Sequence, residues 1–308
     1  MMVRGWRVDG VGVHSRRLKT CFIVNPRSGC ASRALPEIRA FAESRRAEVH
    51  VTERPRHASE IAARARDANY ELIVAVGGDG TMNEVAAMLL GTNAALGLVP
   101  CGSGDGLGRH LGIHGRIPRA LDILSTGHLH RIDTGLADGH PFITAAGVGF
   151  EAEIAQRFNR LSHRGFARYL TTSAKAFYAW KPETYRVTHQ TASESVLAFT
   201  LAVNNANQYG NNALIAPDAL VDDGLLDLCT IPPVGFWNVL PLAANLFRGT
   251  IGKTRGVSIR RGEHFIVERA APGLLHTDGE LHEAGTRIEF TIRPASLSIM
   301  VPAATHTL

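Results

Sequence analysis

The chain has 308 residues, enough for about two domains, and its 45% hydrophobic and 20% charged content is that of a globular protein with buried cores. Net charge is +5, yet no Lys/Arg-rich run occurs, so no nucleic-acid partner is expected. The four cysteines show no CxxC or zinc spacing and fit a reducing cytosol, and no apolar stretch reaches transmembrane length.

Residues 1–17 lack the apolar stretch of a secretory signal and read as a disordered leader. TCFIVN (20–25) then reads as a buried strand, and NPRSG turns the chain into a helix near 33–46. EVHVTE (48–53) is a second strand and HASEIAARARDA (57–68) a second helix. ELIVAVGG is a third strand, followed by a helix from about Thr81 that Gly91 ends. AALGLVPCG (94–102) is a fourth strand, and RIPRALDILSTG (116–127) a short helix. This alternation predicts a parallel, doubly wound α/β domain over 18–131. The texture changes after Arg131. HRIDTGLADGHPFITAAGVGF reads as strands around a turn, 151–180 as helix, and 184–303 as many short strands: a β-rich second domain over 132–289.

Three polar, glycine-containing loops fall at the carboxyl ends of strands one, three and four, where open α/β sheets bind ligands. They are NPRSG (25–29), GGDG (77–80) and CGSGDGLGRHLG (101–112). Glycines let a backbone turn sharply, and a helix starting after such a loop aims free N–H groups at an anion. Asp79 sits where a phosphate would repel it. It therefore either holds a magnesium ion that bridges to phosphate or accepts a proton from a substrate hydroxyl. A plain turn or N-cap aspartate is the structural alternative. GxxxxGK[ST] is absent, and GSGDGLG does not fit GxGxxG because Leu107 takes the third glycine's place.

In this order, NPRSG, GGDGTMNE, VPCGSGDGLGRHLG, DDGLLDL (222–228) and DGE (278–280) resemble the diacylglycerol kinase catalytic family, which includes bacterial lipid kinases and sphingosine kinases. The resemblance covers roughly residues 20–300, and GGDGT alone is shared with NAD kinases. It implies a Rossmann-like nucleotide domain followed by a β-sandwich lipid-binding domain, with the active site in the cleft. A C-terminal strand at about 290–303 returns to the first domain. It implies transfer of the ATP γ-phosphate to a lipid hydroxyl, with Mg2+.

The resemblance also carries over residues. Asn25, Ser28, Thr52, Gly77, Gly78, Asp79, Gly80, Thr81, Glu84, Gly102, Ser103 and Gly104 match the nucleotide-binding positions. Asp278 and Glu280 match the general-base region, and Asp79 competes for that role. Asp223, with the carbonyls of Leu220 and Leu225, matches a structural magnesium site. Two departures stand out. Asp105 replaces the usual asparagine of the third loop, and Cys30 follows NPRSG where a Lys or Arg is usual, with Arg33 nearby. The plain structural alternative for Asp278-Gly279-Glu280 is a tight β-turn.

The implied protein is cytoplasmic and associates peripherally and transiently with a membrane, where its lipid substrate resides; a homodimer stays open. Segment 157–180, with its mixed arginines and aromatics, and VGFWNVLPLAANLF (234–247) are candidate membrane contacts, although such apolar stripes are more often core. Two rival readings are a soluble-substrate kinase of the NAD kinase type and a regulator that binds nucleotide or lipid without catalysis.

Overall fold

The computed structural model describes residues 18–159, 176–177 and 180–303. The chain divides into two compact units: residues up to Ile132 together with those from Ser296 onward, and residues Asp133–Ala295.

The first unit is built on β1 (Thr20–Val24), β2 (Glu48–Val51), β3 (Leu72–Gly77) and β4 (Ala95–Pro100). β1, β3 and β4 are near-continuous apolar runs, the pattern of parallel strands covered on both faces. They pair in parallel in the order β2-β1-β3-β4. The end of β16 (Arg287–Val301) adds a further parallel strand, with Ser298 opposite Ala95 and Ile299 opposite Leu96. Helices α1 (Ala31–Ser44), α2 (His57–Asp67), α3 (Asp79–Leu89), α4 (Gly106–His110) and α5 (Ile117–Thr126) fill the connections. The strand order reverses between β1 and β3, so the crevice at their carboxyl ends is where a ligand belongs in such a sheet.

The second unit is antiparallel. One sheet runs β12 (Ser258–Gly262), β11 (Leu226–Ile231), β10 (Thr200–Asn204), β7 (Ala145–Gly149), β14 (Gly273–Thr277), β15 (Glu280–Ala284). The other joins the first half of β16 to β13 (His264–Arg269), β8 (Glu183–His189) and β9 (Ala192–Ala198). It also takes in the second half of β5 (His128–Ala137) and β6 (His140–Phe142). Side chains from both sheets, among them Phe142, Val148, Tyr185, Val203, Phe265 and Phe290, form one core. Alternation along β10 and β11 sends Ala202, Cys229 and Ile231 to the opposite face, where a second cluster forms. After helix α6 (Phe150–Asn159), Leu242 and Leu246 of α7 (Val239–Arg248) cover that cluster, along with Trp180.

The strands expected over 184–303 are not all short: residues 192–204 hold β9 and β10, broken at Phe199, while β16 runs unbroken from Arg287 to Val301. Strand length and pairing come from partners far away in sequence, which a local pattern does not contain. Most of segment 157–180 lies outside the described residues, as does the leader. Among the described residues no helix is long and apolar enough to cross a membrane.

Candidate active site

The three glycine loops of the first unit touch one another. Asn25 holds the first to the third strand: its N–H donates to the Val76 carbonyl (2.9 Å) and its side-chain amide to Thr81 Oγ1 (3.0 Å). Its own Oδ1 accepts the Arg27 N–H at 3.1 Å. Ser28 Oγ accepts the Gly78 N–H at 3.1 Å. The Cys101 N–H donates to the Gly77 carbonyl (2.7 Å) and the Cys30 N–H to the Cys101 carbonyl (3.3 Å).

This closeness explains the glycines. Gly29 has φ +44°, and a Cβ there would overlap the Cys101 carbonyl oxygen. A Cβ on Gly102 would lie 2.7 Å from Gly78 Cα, and one on Gly104 2.5 Å from Asp79 Oδ2. We therefore expect Gly102→Ala to push the second and third loops apart. Overpacking of this kind costs roughly 1–3 kcal/mol, which should appear as an approximately tenfold or greater loss of ATP affinity by calorimetry.

Helix α3 begins at Asp79, two residues earlier than the sequence pattern indicates. An acid in the first turn complements the helix dipole. The Met82 N–H reaches back to the Gly78 carbonyl (3.1 Å), so the N–H groups of residues 79–81 precede the helical ladder and lack intrahelical acceptors. Gly80 is exposed, and a Cβ there would meet nothing within 4 Å. The Asp79 carboxylate turns aside to the third loop: Oδ2 accepts the Asp105 N–H and Oδ1 the Gly106 N–H, each at 3.0 Å. Asp79 thus ties the GGDG loop to the start of α4. Thr52 follows β2 beside this edge, its N–H on the Val24 carbonyl (2.8 Å). Ser103 is exposed, and the carbonyl of Glu84, within α3, accepts the Ser59 hydroxyl (3.2 Å).

Asp105 is buried and has φ +56°, a left-handed conformation that Asp and Asn tolerate better than most residues. That shared tolerance accounts for an aspartate where the family pattern has asparagine. Desolvation, and next the neighbouring Asp79 charge, push its carboxyl up to about 7, with Arg109 pulling the other way. Arg109, which the sequence motifs did not single out, also donates from Nε to the Gly104 carbonyl (3.0 Å).

In the second unit, Asp278 and Gly279 both have positive φ (50° and 85°) and join β14 to β15, with Thr277 opposite Glu280. That is a two-residue type I′ hairpin, for which Asp-Gly is a preferred pair. The Asp278 side chain does more than turn the chain. It accepts the N–H groups of Ile143 (2.6 Å), Thr144 (2.9 Å) and Ala145 (3.0 Å), and the Thr144 hydroxyl in a very short bond. Burial raises its pKa, and these hydrogen bonds oppose the rise. The residue keeps some exposure, but its carboxylate is engaged by four donors. Glu280 is exposed, with no side-chain hydrogen bond among the described residues. Thr144 has a part here that no motif signalled.

The magnesium ligands expected around DDGLLDL meet a different arrangement. Asp223 Oδ1 accepts the Leu225 N–H at 3.1 Å, and Oδ2 is held in a close ion pair by Arg261. Arg261 Nε also lies 3.2 Å from Oδ1 of the buried Asp227. Leu220 is exposed. The carboxylate that would supply the anionic ligand already faces a cation, and a second, divalent one beside it would be repelled. These residues do not fit a resident magnesium ion at Asp223.

Residues 19–137 match the diacylglycerol kinase catalytic domain, and residues 144–301 the YegS C-terminal NAD kinase beta sandwich-like domain. The chain belongs to the diacylglycerol kinase family of lipid kinases. A diacylglycerol kinase of Mycobacterium tuberculosis is 28% identical, with 92% of this chain and 95% of that protein covered. An uncharacterised Synechocystis protein is 30% identical over 83% of this chain, which spans 61% of that relative's length. A crystal structure of a diacylglycerol kinase from Bacillus anthracis shares the fold at TM-score 0.72 and 17% identity, with 93% of this chain and 98% of that one covered.

Proposed function

We propose that this lipid kinase transfers the γ-phosphate of ATP to a hydroxyl of a lipid such as diacylglycerol or a sphingoid base. The observation that carries the reading is the α3 N-terminus. It offers N–H groups without helical acceptors beside an open Gly80, and two further glycine loops pack against it through Ser28 and Asp79. Such a cradle suits polyphosphate. Magnesium carried with the nucleotide supplies charge neutralisation, which phosphoryl transfer requires. Asn25, Ser28, Gly77, Gly78, Gly102 and Gly104 shape the cradle, and Thr52 and Glu84 flank it. Asp278 holds the 143–145 backbone in place, and the exposed Glu280 next to it is the carboxylate free to take the hydroxyl proton. Asp79 orients the third loop.

A panel of lipids in mixed micelles with Mg2+ and γ-labelled ATP tests this. We expect label in one lipid. NAD belongs in the panel as a soluble acceptor, because the second unit matches an NAD kinase-like sandwich domain. Label in NAD alone would replace the lipid reading. ATP binding without label anywhere would favour a silent regulator.

The lipid acceptor implies a transient visit to a membrane surface. While α7 packs Leu242 and Leu246 inward, Leu240 and the preceding Trp237 are 79% and 85% exposed. Exposed large apolar groups at the start of a helix that ends in a basic residue, here Arg248, suit an anionic bilayer. The double substitution Trp237→Ser, Leu240→Ser is expected to lower flotation with phosphatidylglycerol vesicles several-fold and leave transfer to a short-chain soluble lipid intact. Undiminished flotation would remove α7 from the contact.

A further inference from the structure

The acidic turn before β11 gathers Asp218, Asp222 and Asp223, Asp227 follows within β11, and Asp133 faces the turn from β5. Asp133 is buried and pins the turn: Oδ2 accepts the Gly224 N–H and Oδ1 the Ala295 N–H, both at 2.7 Å, while its N–H donates to the Val221 carbonyl at 2.6 Å. Asp227 is buried, and Asp223 shares the same arginine with it. This much negative charge needs a compensating cation.

The cation present is a side chain. Arg261 lies on β12 directly opposite Asp227 in the antiparallel ladder, so the strand register fixes its position. From there its guanidinium spans two carboxylates, Nε toward Asp227 and Nη2 on Asp223. A planar fork is suited to bridging in this way, and guanidinium keeps its charge at any working pH. Among the described residues Asp227 Oδ2 is buried without a hydrogen-bond partner, so the turn depends on the bridge for neutralisation.

We propose that Arg261 is a built-in counter-ion that takes the place of a structural divalent metal at the DDGLLDL turn, and that the fold of this chain is metal-independent as a result. The proposal is separate from the nucleotide and its magnesium, because it concerns unfolding of the chain alone.

The test is thermal unfolding without nucleotide or lipid, in EDTA and in millimolar magnesium or calcium chloride. Wild-type melting should be the same in all three. Arg261→Gln should melt roughly 5 °C lower in EDTA, and either divalent ion should restore most of the loss. Arg261→Lys, which keeps a charge and guards against a glutamine variant that fails to fold, should stay insensitive to EDTA. A wild-type chain that EDTA destabilises and magnesium restores would overturn the proposal. So would a destabilised Arg261→Gln that neither ion rescues, since Arg261 would then be an ordinary ion pair.

Discussion

Asp278→Asn is expected to lose both activity and stability, a combination that separates a positioning aspartate from a catalytic base. The wild-type carboxylate accepts three N–H groups and one hydroxyl. An amide of the same shape keeps its oxygen for the three donors at Oδ1 only by turning its NH2 hydrogens toward the Ile143 N–H at Oδ2. Hydrogen bonds to a charged acceptor contribute about 1.5–3 kcal/mol each, and an orphaned donor costs a similar amount. We expect a loss of about 2–4 kcal/mol, which for a unit of this size lowers Tm by roughly 5–15 °C. Displacement of the 143–145 backbone beside the turn should also lower transfer by about 100-fold or more. Glu280→Gln provides the contrast, because its side chain is exposed at the start of β15. It should leave Tm unchanged and lower kcat by about 100-fold to 10,000-fold with little change in KM. An Asp278→Asn enzyme with wild-type Tm and no turnover would return the base to Asp278. Thermal melts and steady-state rates on the two variants decide the matter.

The sequence made the first unit readable because its signals are local. Apolar runs of strand length alternate with amphipathic helices, and each strand delivers its polar loop to the same sheet edge. The Asp-Gly pair at 278–279 was equally legible as a hairpin turn, from the positive φ that both positions need. What Asp278 grips was not legible, because Ile143, Thr144 and Ala145 lie more than 130 positions away. Arg261 escaped notice for the same reason: its partners follow from the register of β11 against β12, and no motif records a register. The glycine loops fall between these cases. Their need for flexibility was visible, but the contact of Gly102 with Gly78, which forbids a side chain, appears only when the loops are brought together. The magnesium ligands carried over by resemblance meet an arginine at Asp223, because similarity transfers a position without transferring its neighbours.

Asp105→Asn should stabilise the protein, and by an amount that grows with pH. In the folded chain burial and the Asp79 charge lift the Asp105 carboxyl to about 7, against an ordinary value of 3.8. Below about pH 4 the group is protonated in both folded and unfolded chains, and its titration contributes no difference. Between about 4 and 7 the unfolded chain gives up this proton while the folded chain keeps it. The unfolded state then binds fewer protons, and stability falls as pH rises. Above 7 both states are ionised and the full penalty applies, on the order of 4 kcal/mol. Asparagine accepts the same left-handed backbone and carries no charge. Urea unfolding of wild type and variant should therefore diverge from near equality at pH 4 to about 2–4 kcal/mol in favour of Asp105→Asn at pH 8. The phosphate cradle should feel the same titration, since Asp105 is tied through its N–H to Asp79 at the start of α3. Wild-type ATP affinity is expected to drop as pH passes 7, and the variant's to stay level. Parallel pH curves for the two proteins would mean that Asp105 is already ionised well below 7, with Arg109 offsetting both its burial and its acidic neighbour.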